Sequence, residues 1–257
     1  MSPNYEYVLQ LATRSTTVPA PRVLDYGCGM KAAGNKAALI EIGLARGLDI
    51  YGVDAAVGEV TDRVKALTDN GGIPFEDHTF DVVVSNQVFE HIAHPAPVFH
   101  EIARVLKPGG VFIALFPDKT VWFEGHLGLY FVHWLMPWPR AAYYYLVACH
   151  AIGLGHWRGT DGSAAWARTM IEYFRAHVFY ASAADVRRWW IDAFGTEPAH
   201  LERDWMLFRI AQSNRWRWLL PVARLRLMAP ALVTISRVRS GVVLRSATRP
   251  DSAAGAG

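Results

Sequence analysis

Three groups of residues in this 257-residue chain have types and spacings suited to chemistry. The first is Asp25-Tyr26-Gly27-Cys28-Gly29-Met30, directly after the apolar run Arg22–Tyr26. Glycines there let the backbone turn sharply and let a ligand lie against main-chain N–H groups. The spacing Gly27-x-Gly29-x-x-Ala32 also fits the Gly/Ala form of the dinucleotide fingerprint, and a plain strand-to-helix turn uses the same residues. The second group closes later apolar runs. Asp54 ends DIYGVD, where an acid either accepts both hydroxyls of a ribose or caps the next helix. Asp69-Asn70-Gly71-Gly72-Ile73-Pro74-Phe75 precedes Phe80-Asp81, and Ser85-Asn86-Gln87-Val88-Phe89-Glu90-His91 follows Val82-Val83-Val84. The third group is the histidines. His91 follows the longest β-branched run, His126 and His133 stand seven apart in GHLGLYFVHWL, and His156 sits in GLGHWRG. A helix would put His126 and His133 on one face. Each is a candidate general base toward an alcohol, and each is equally suited to being a satisfied structural histidine. The spacing shows no tight His/Asp/Glu cluster, so no metal site is expected.

The elements that must position these residues alternate through the first third of the chain. Residues 22–26 and 49–54 read as strands, and 80–86 as a strand buried on both faces. Residues 35–46, 58–68 and 95–106 read as helices. Lys107-Pro108-Gly109-Gly110 stops the last of these before the strand 111–116. This order defines an α/β chain with a doubly wound parallel sheet. Residues 117–180 then carry fifteen of the 32 aromatic residues and read as a mostly helical insertion over the sheet. Residues 184–194 read as a helix and Trp205–Ala211 as a late strand.

The motifs together resemble the class I S-adenosylmethionine-dependent methyltransferases, in the branch with the type 11 methyltransferase domain. VLDYGCG, YGVD, the D-x-x-x-I-P-F-x-x-x-x-F-D stretch from Asp69 to Asp81, SNQVFEHI and RVLKPGG occur in the family's order across residues 22–116. The resemblance implies a Rossmann-like, seven-stranded methyltransferase fold with S-adenosyl-L-methionine as methyl donor. It also implies roles for single residues. Asp25, Gly27 and Gly29 would hold the methionine part of the cofactor and Asp54 its ribose. Asp69 would accept from the adenine amino group with Asn70 beside the ring, and Asn86 and Gln87 would line the pocket near the methionine moiety. Lys31 stands where the family has glycine, so Gly34 would take part of that turn. A dinucleotide oxidoreductase accounts for the glycines and Asp54 but not for Asp69 with its Pro-Phe, nor for Glu90-His91 and Lys-Pro-Gly-Gly.

The implied core is 1–116 with 181–212, leaving 117–180 as a substrate lid and 213–257 as a basic apolar tail whose last residues are expected to be disordered. Trp157-Arg158 and Trp138-Pro139-Arg140 in the lid suit sugar rings, phenols or flat lipidic acceptors. The expected reaction is O-methylation of a glycan, glycolipid or other small-molecule hydroxyl, with His91, His126 and His133 as candidate catalytic residues. C- or N-methylation in lipid, quinone or natural-product biosynthesis is the alternative, and a catalytically silent cofactor-binding module is another.

Charge divides the chain. The tail carries eight arginines and one acid, +7 against +3 for the whole, which leaves −4 on the rest. That division argues against a nucleic-acid partner for the whole protein and for an anionic membrane surface at the tail. Trp216 and Trp218 suit a water–lipid interface, Arg217 and Arg224 would share a helix face opposite Leu219, Leu220, Ala223 and Leu227, and Pro221 and Pro230 would break the segment into short helices. The alternative is packing on the body or at a homodimer interface. Two cysteines make no disulfide framework, and the start of the chain lacks a signal-peptide pattern. The expected location is therefore the cytoplasm, peripheral at the inner face of the membrane if the tail binds lipid.

Overall fold

The run Phe80–Asn86 is buried at every position but its last and forms a central strand, β4. Its alternation assigns the layers: Val82 and Val84 face one core and Val83 faces the other. The computed structural model describes residues 3–29, 38–57, 60–240 and 243–250. With β1 (Arg22–Tyr26), β2 (Asp49–Asp54), β3 (Val64–Ala66) and β5 (Leu106–Phe116), β4 makes the parallel part of the sheet. β9 (Val243–Thr248) and β8 (Ala199–His200) continue it antiparallel, in the order β3-β2-β1-β4-β5-β9-β8. This is the seven-stranded doubly wound sheet that the motifs imply. The strand order reverses between β1 and β4, and the crevice beyond their carboxyl ends is where such sheets bind ligands.

One face of the sheet is covered by α1 (Pro3–Arg14), α2 (Ala38–Ala45) and α8 (Glu202–Gln212), through Val8, Leu39 and Trp205 on Val23, Ile50 and Ile113. The other is covered by α3 (Ala96–Val105) and α7 (Ala183–Phe194), where Phe99, Trp190 and Phe194 meet Leu24, Val83 and Phe112. Trp190 stacks on Phe112 with ring centroids 5.0 Å apart. Between β5 and α7 the chain builds a hairpin of β6 (Phe123–Glu124) and β7 (Leu129–Tyr130), then α4 (Val132–Leu135), α5 (Pro139–Ala151) and α6 (Ser163–His177). These have a core of their own from Leu127, Leu146, Trp166, Met170 and Phe174.

The structure corrects two element readings. The helix expected over 58–68 is absent from the described residues 60–68. There Thr61 Oγ1 accepts from the amides of Arg63 and Val64, a side-chain turn that competes with helix formation, and Val64 then pairs with Gly52. The late strand expected at Trp205–Ala211 is helix α8. A short apolar run is ambiguous by periodicity alone, and here Trp205 is buried against Tyr7 at 5.0 Å. The strand that completes the sheet is instead β9, from the basic tail. Its central Arg245 is buried in an ion pair with Asp118, which lets an arginine stand inside a strand. The rest of the tail is the short helices that its prolines predict: α9 (Leu220–Ala223) and α10 (Ala229–Ile235) each carry Pro at the first turn. The helix expected at 35–46 is described from Ala38 on; the Lys31/Gly34 expectation lies outside the described residues, as does 251–257, expected to be disordered.

Candidate functional site

The glycine turn after β1 is built for close approach. Gly27 has φ +79°, and a Cβ there would come within 2.3 Å of Val88 Cγ2, so only glycine fits. Its amide and that of Cys28 donate to Val53 O at 2.8 and 3.1 Å, tying the turn to the end of β2. Asp54 accepts from the amides of Gly29 at 2.8 Å and Ala56 at 3.0 Å, so the acid expected at the ribose also shapes the loop. Asp25 is buried beneath the turn, and burial, with the charge of Asp54 second, pushes its carboxyl up to about 7. Asp69 and Asn70 lie on an exposed turn after β3 that Thr68 closes, accepting from Gly71 N at 2.7 Å and, through Oγ1, from Gly72 N at 2.8 Å. At the end of β4, Gln87 has φ +59° and donates its amide to Leu115 O at 2.7 Å. Ser85 Oγ, Asn86 Oδ1 and Gln87 Nε2 are buried there without a hydrogen-bond partner. Asp25, Gly27, Gly29, Asp54, Asn86 and Gln87 thus converge on the carboxyl edge at the switch point, and Asp69 with Asn70 lies further along that edge.

A second cluster begins three residues past Gln87. Glu90 and His91 end the one-turn helix Phe89–His91, and Phe179 N donates to Glu90 O at 2.6 Å. The β6–β7 turn brings His126 to the same place: His126 Nε2 is 3.1 Å from His91 Nε2. Glu124, fully buried, organises the turn. It accepts from the amides of His126 at 3.0 Å and Leu127 at 2.7 Å, from the Tyr180 hydroxyl at 3.0 Å and from His126 Nδ1 at 2.5 Å. Burial alone would raise its pKa, but the His126 hydrogen bond and charge and these amides hold it below the ordinary carboxylate value. His126 is shifted the other way: burial lowers its pKa, and the hydrogen bond and charge of Glu124 more than offset that. His91 donates Nδ1–H to His177 O at 2.7 Å. Glu90 is buried, with neither carboxylate oxygen partnered, and burial pushes its pKa up to about 8.

His126 and His133 do not share a helix face. His126 is in the β6–β7 hairpin turn, which Gly128 closes at φ +67°, whereas His133 lies in α4. His133 is buried, donates Nε2–H to Val121 O at 2.9 Å and packs 4.7 Å from the Tyr180 ring, and burial lowers its pKa. It touches Tyr180, which donates to Glu124, but not His126. His156 Nδ1 lies 3.2 Å from His126 O. Of the lid residues singled out for acceptors, Arg158 donates to His150 O at 2.9 Å and Gly153 O at 3.3 Å, a structural use. Trp157 is half exposed, 5.3 Å from the Tyr173 ring, which is 6.3 Å from His126. Glu124 and Tyr180 are absent from the sequence-based candidates. The available signal was an acid two residues before a histidine in an otherwise apolar stretch.

The Methyltransferase domain family matches residues 24–114. Three curated relatives are similar to part of this chain. A sterol 24-C-methyltransferase of Schizosaccharomyces pombe is 36% identical over 115 residues, 40% of this chain and 29% of its own length. A malonyl-[acyl-carrier protein] O-methyltransferase of Geobacter sulfurreducens is 33% identical over 123 residues, 45% of each chain. A ubiquinone biosynthesis O-methyltransferase of Photorhabdus laumondii is 28% identical over 148 residues, 51% of this chain and 57% of its own. The match therefore spans less than two thirds of each relative. Residues 24–114 are thus similar to the methyltransferase domain of the S-adenosylmethionine-dependent enzymes that the motifs resemble. The residues at the switch point fit that cofactor: the orphaned Asn86 Oδ1 and Gln87 Nε2 offer an acceptor and a donor to its amino-acid end, and Asp25 offers a carboxyl.

Proposed function

We propose that the protein transfers a methyl group from S-adenosylmethionine to a hydroxyl of a small or lipid-linked acceptor held under residues 117–180. The observation that carries this reading is His126, anchored by Glu124 through Nδ1 and presenting Nε2 beside His91, just past the cofactor edge of β4. The cofactor supplies a sulfonium-bound methyl group. Asp25, Gly27, Gly29, Asn86 and Gln87 hold its amino-acid end, Asp54 its ribose, and Asp69 with Asn70 its adenine. The acceptor oxygen forms the new O–CH₃ bond as the S–CH₃ bond breaks, and the electron pair of the broken bond stays on sulfur. The hydroxyl proton passes to His126 Nε2, and the charge that develops on the ring is stabilised by Glu124. Holding the acceptor in line contributes up to roughly 7–11 kcal/mol, and a positioned base contributes about 10²–10⁴-fold. His133 supports Tyr180 and so the Glu124 turn.

The tail supports an acceptor at a membrane surface. Arg237, Arg245 and Arg249 are engaged by the body: they donate to Glu202, Asp118 and Leu106 O. Arg215, Arg217, Arg224, Arg226 and Arg239 are exposed among exposed Trp216, Trp218, Val222, Leu225 and Leu227. Among the described residues no single helix is long and apolar enough to cross a membrane; Arg217–Ala223 with Arg226–Arg239 form one pair bent by 105° that passes only together. Such a mixed surface suits peripheral contact with an anionic bilayer from the cytoplasmic side. The reading is tested by methyl-label transfer from S-adenosylmethionine to lipid and glycan extracts, with product analysis. A labelled methyl ether supports it; a labelled methyl group on a carboxylate, carbon or nitrogen overturns it.

A further inference from the structure

We propose that Glu90, His91 and His126 form a binding site for one divalent cation of the zinc class. Their ligand atoms lie within 4.8 Å of one another, although the residues come from two elements 35 positions apart. The tautomers are fixed from outside the cluster. His91 Nδ1 faces the carbonyl of His177 at 2.7 Å, and a carbonyl only accepts, so Nδ1 carries the proton. His126 Nδ1 faces the carboxylate of Glu124 at 2.5 Å, and the same holds. With both Nδ1 atoms donating outward, the two Nε2 atoms face each other across 3.1 Å, and the space between them takes either one proton or one metal cation. A ring whose other nitrogen donates to a carbonyl or a carboxylate is also the usual state of a metal-bound histidine.

The second observation is Glu90. Its side chain is 1% exposed, and neither oxygen has a hydrogen-bond partner. A buried carboxyl group left without any hydrogen-bond partner is costly, and a cation bound beside it removes that cost. Two imidazoles and one carboxylate are the three-ligand set of open zinc sites, which keep the fourth position for a water or a substrate oxygen. His91 is exposed and gives the cation a way in from solvent.

The inference deepens the proposed function and rests on it only for the fourth ligand, the acceptor oxygen. With a cation bound, His126 Nε2 would be a ligand, and the acceptor hydroxyl in the fourth position would have its pKa lowered so that its proton passes to solvent water instead of to His126 before the methyl group is transferred. Cation binding itself needs neither cofactor nor acceptor.

The test uses tag-free, full-length protein treated with chelator and dialysed, then titrated with Zn²⁺ by calorimetry and with Co²⁺ by visible absorption. The expected result is one cation per chain with a Co²⁺ ligand-field band. His91→Ala and Glu90→Gln should each lose at least tenfold in affinity, and Glu124→Gln about 10–100-fold through the ring it orients. Far-ultraviolet circular dichroism controls for folding, and exposed His91 provides the variant least able to disturb it. No saturable binding, or binding unchanged in folded His91→Ala and Glu90→Gln proteins, overturns the site. Binding of S-adenosylmethionine is measured on the same samples: cation binding without cofactor binding would sink the methyl-transfer reading and leave the metal site standing.

Discussion

His126 donates from Nδ1 to Glu124 Oε1 across 2.5 Å, two residues back along its own turn. The same carboxylate accepts two amides of that turn and the Tyr180 hydroxyl, so one buried acid fixes the hairpin, the ring tautomer and the Tyr180 side chain together. Removing its charge while keeping its shape should therefore affect chemistry more than cofactor binding. Glu124→Gln is expected to lower turnover by about 10²–10⁴-fold, the range of a positioned acid–base group, with S-adenosylmethionine affinity within about twofold of wild type. Steady-state kinetics beside calorimetry checks this. An equal loss in both would make Glu124 a structural residue of the whole fold.

Asp25 gives the cofactor site a pH dependence. Burial and the Asp54 charge hold its carboxyl up to about 7, so in the free protein it is largely protonated below that pH. S-adenosylmethionine brings positive charge and prefers the carboxylate form. Binding should thus release a proton below about pH 7, and affinity should fall toward tenfold per pH unit on the acid side. Above pH 7 the affinity should level off. Calorimetry in buffers of different ionisation enthalpy reads the proton directly, and Asp25→Asn should abolish the dependence. A flat profile from pH 6 to 8 would contradict the assignment of Asp25 to the cofactor's charged end.

The tail is part of the fold as well as a surface. Arg245 and Asp118 form an ion pair at 2% and 0% side-chain exposure, between β9 and the loop after β5. Arg245→Ala leaves Asp118 buried and unpaired and should cost about 3–5 kcal/mol in urea unfolding. Arg245→Met with Asp118→Leu removes both charges and should recover most of that. If the double variant is no better than the single, the loss comes from packing rather than from the stranded charge.

Because β9 lies within the sheet, truncation after Gln212 would unfold the protein, and membrane binding has to be tested by substitution. Sedimentation with anionic vesicles should carry the wild type down at low salt. Trp216→Ala, Trp218→Ala, Arg217→Glu and Arg224→Glu combined should leave it in the supernatant, since each arginine near the surface contributes about 1 kcal/mol. Equal sedimentation of the two proteins would return this face to ordinary solvent exposure.

The cofactor half of this molecule was legible because its parts are local. Glycine after a strand, an acid closing the next and a β-branched run are read within a few residues, and the switch point then follows from strand order. The cluster around Glu124 and His126 was not, because it depends on tertiary contact. His91 and His126 meet only when the β6–β7 hairpin folds over the end of β4, and a seven-residue spacing wrongly suggested a helical face for His126 and His133. β9 escaped notice for a related reason. Its arginine breaks the apolar alternation, and only Asp118, 127 positions away, makes that arginine acceptable in the interior.

The central claim, that the crevice between β1 and β4 holds S-adenosylmethionine, is tested most directly by calorimetric titration of the full-length protein and of Asp54→Ala. Hydrogen bonds to a charged group contribute about 1.5–3 kcal/mol each, so the variant should lose at least tenfold in affinity while the wild type binds one cofactor per chain. A folded wild type that shows no saturable binding, or a folded Asp54→Ala that binds as well as wild type, would contradict the account.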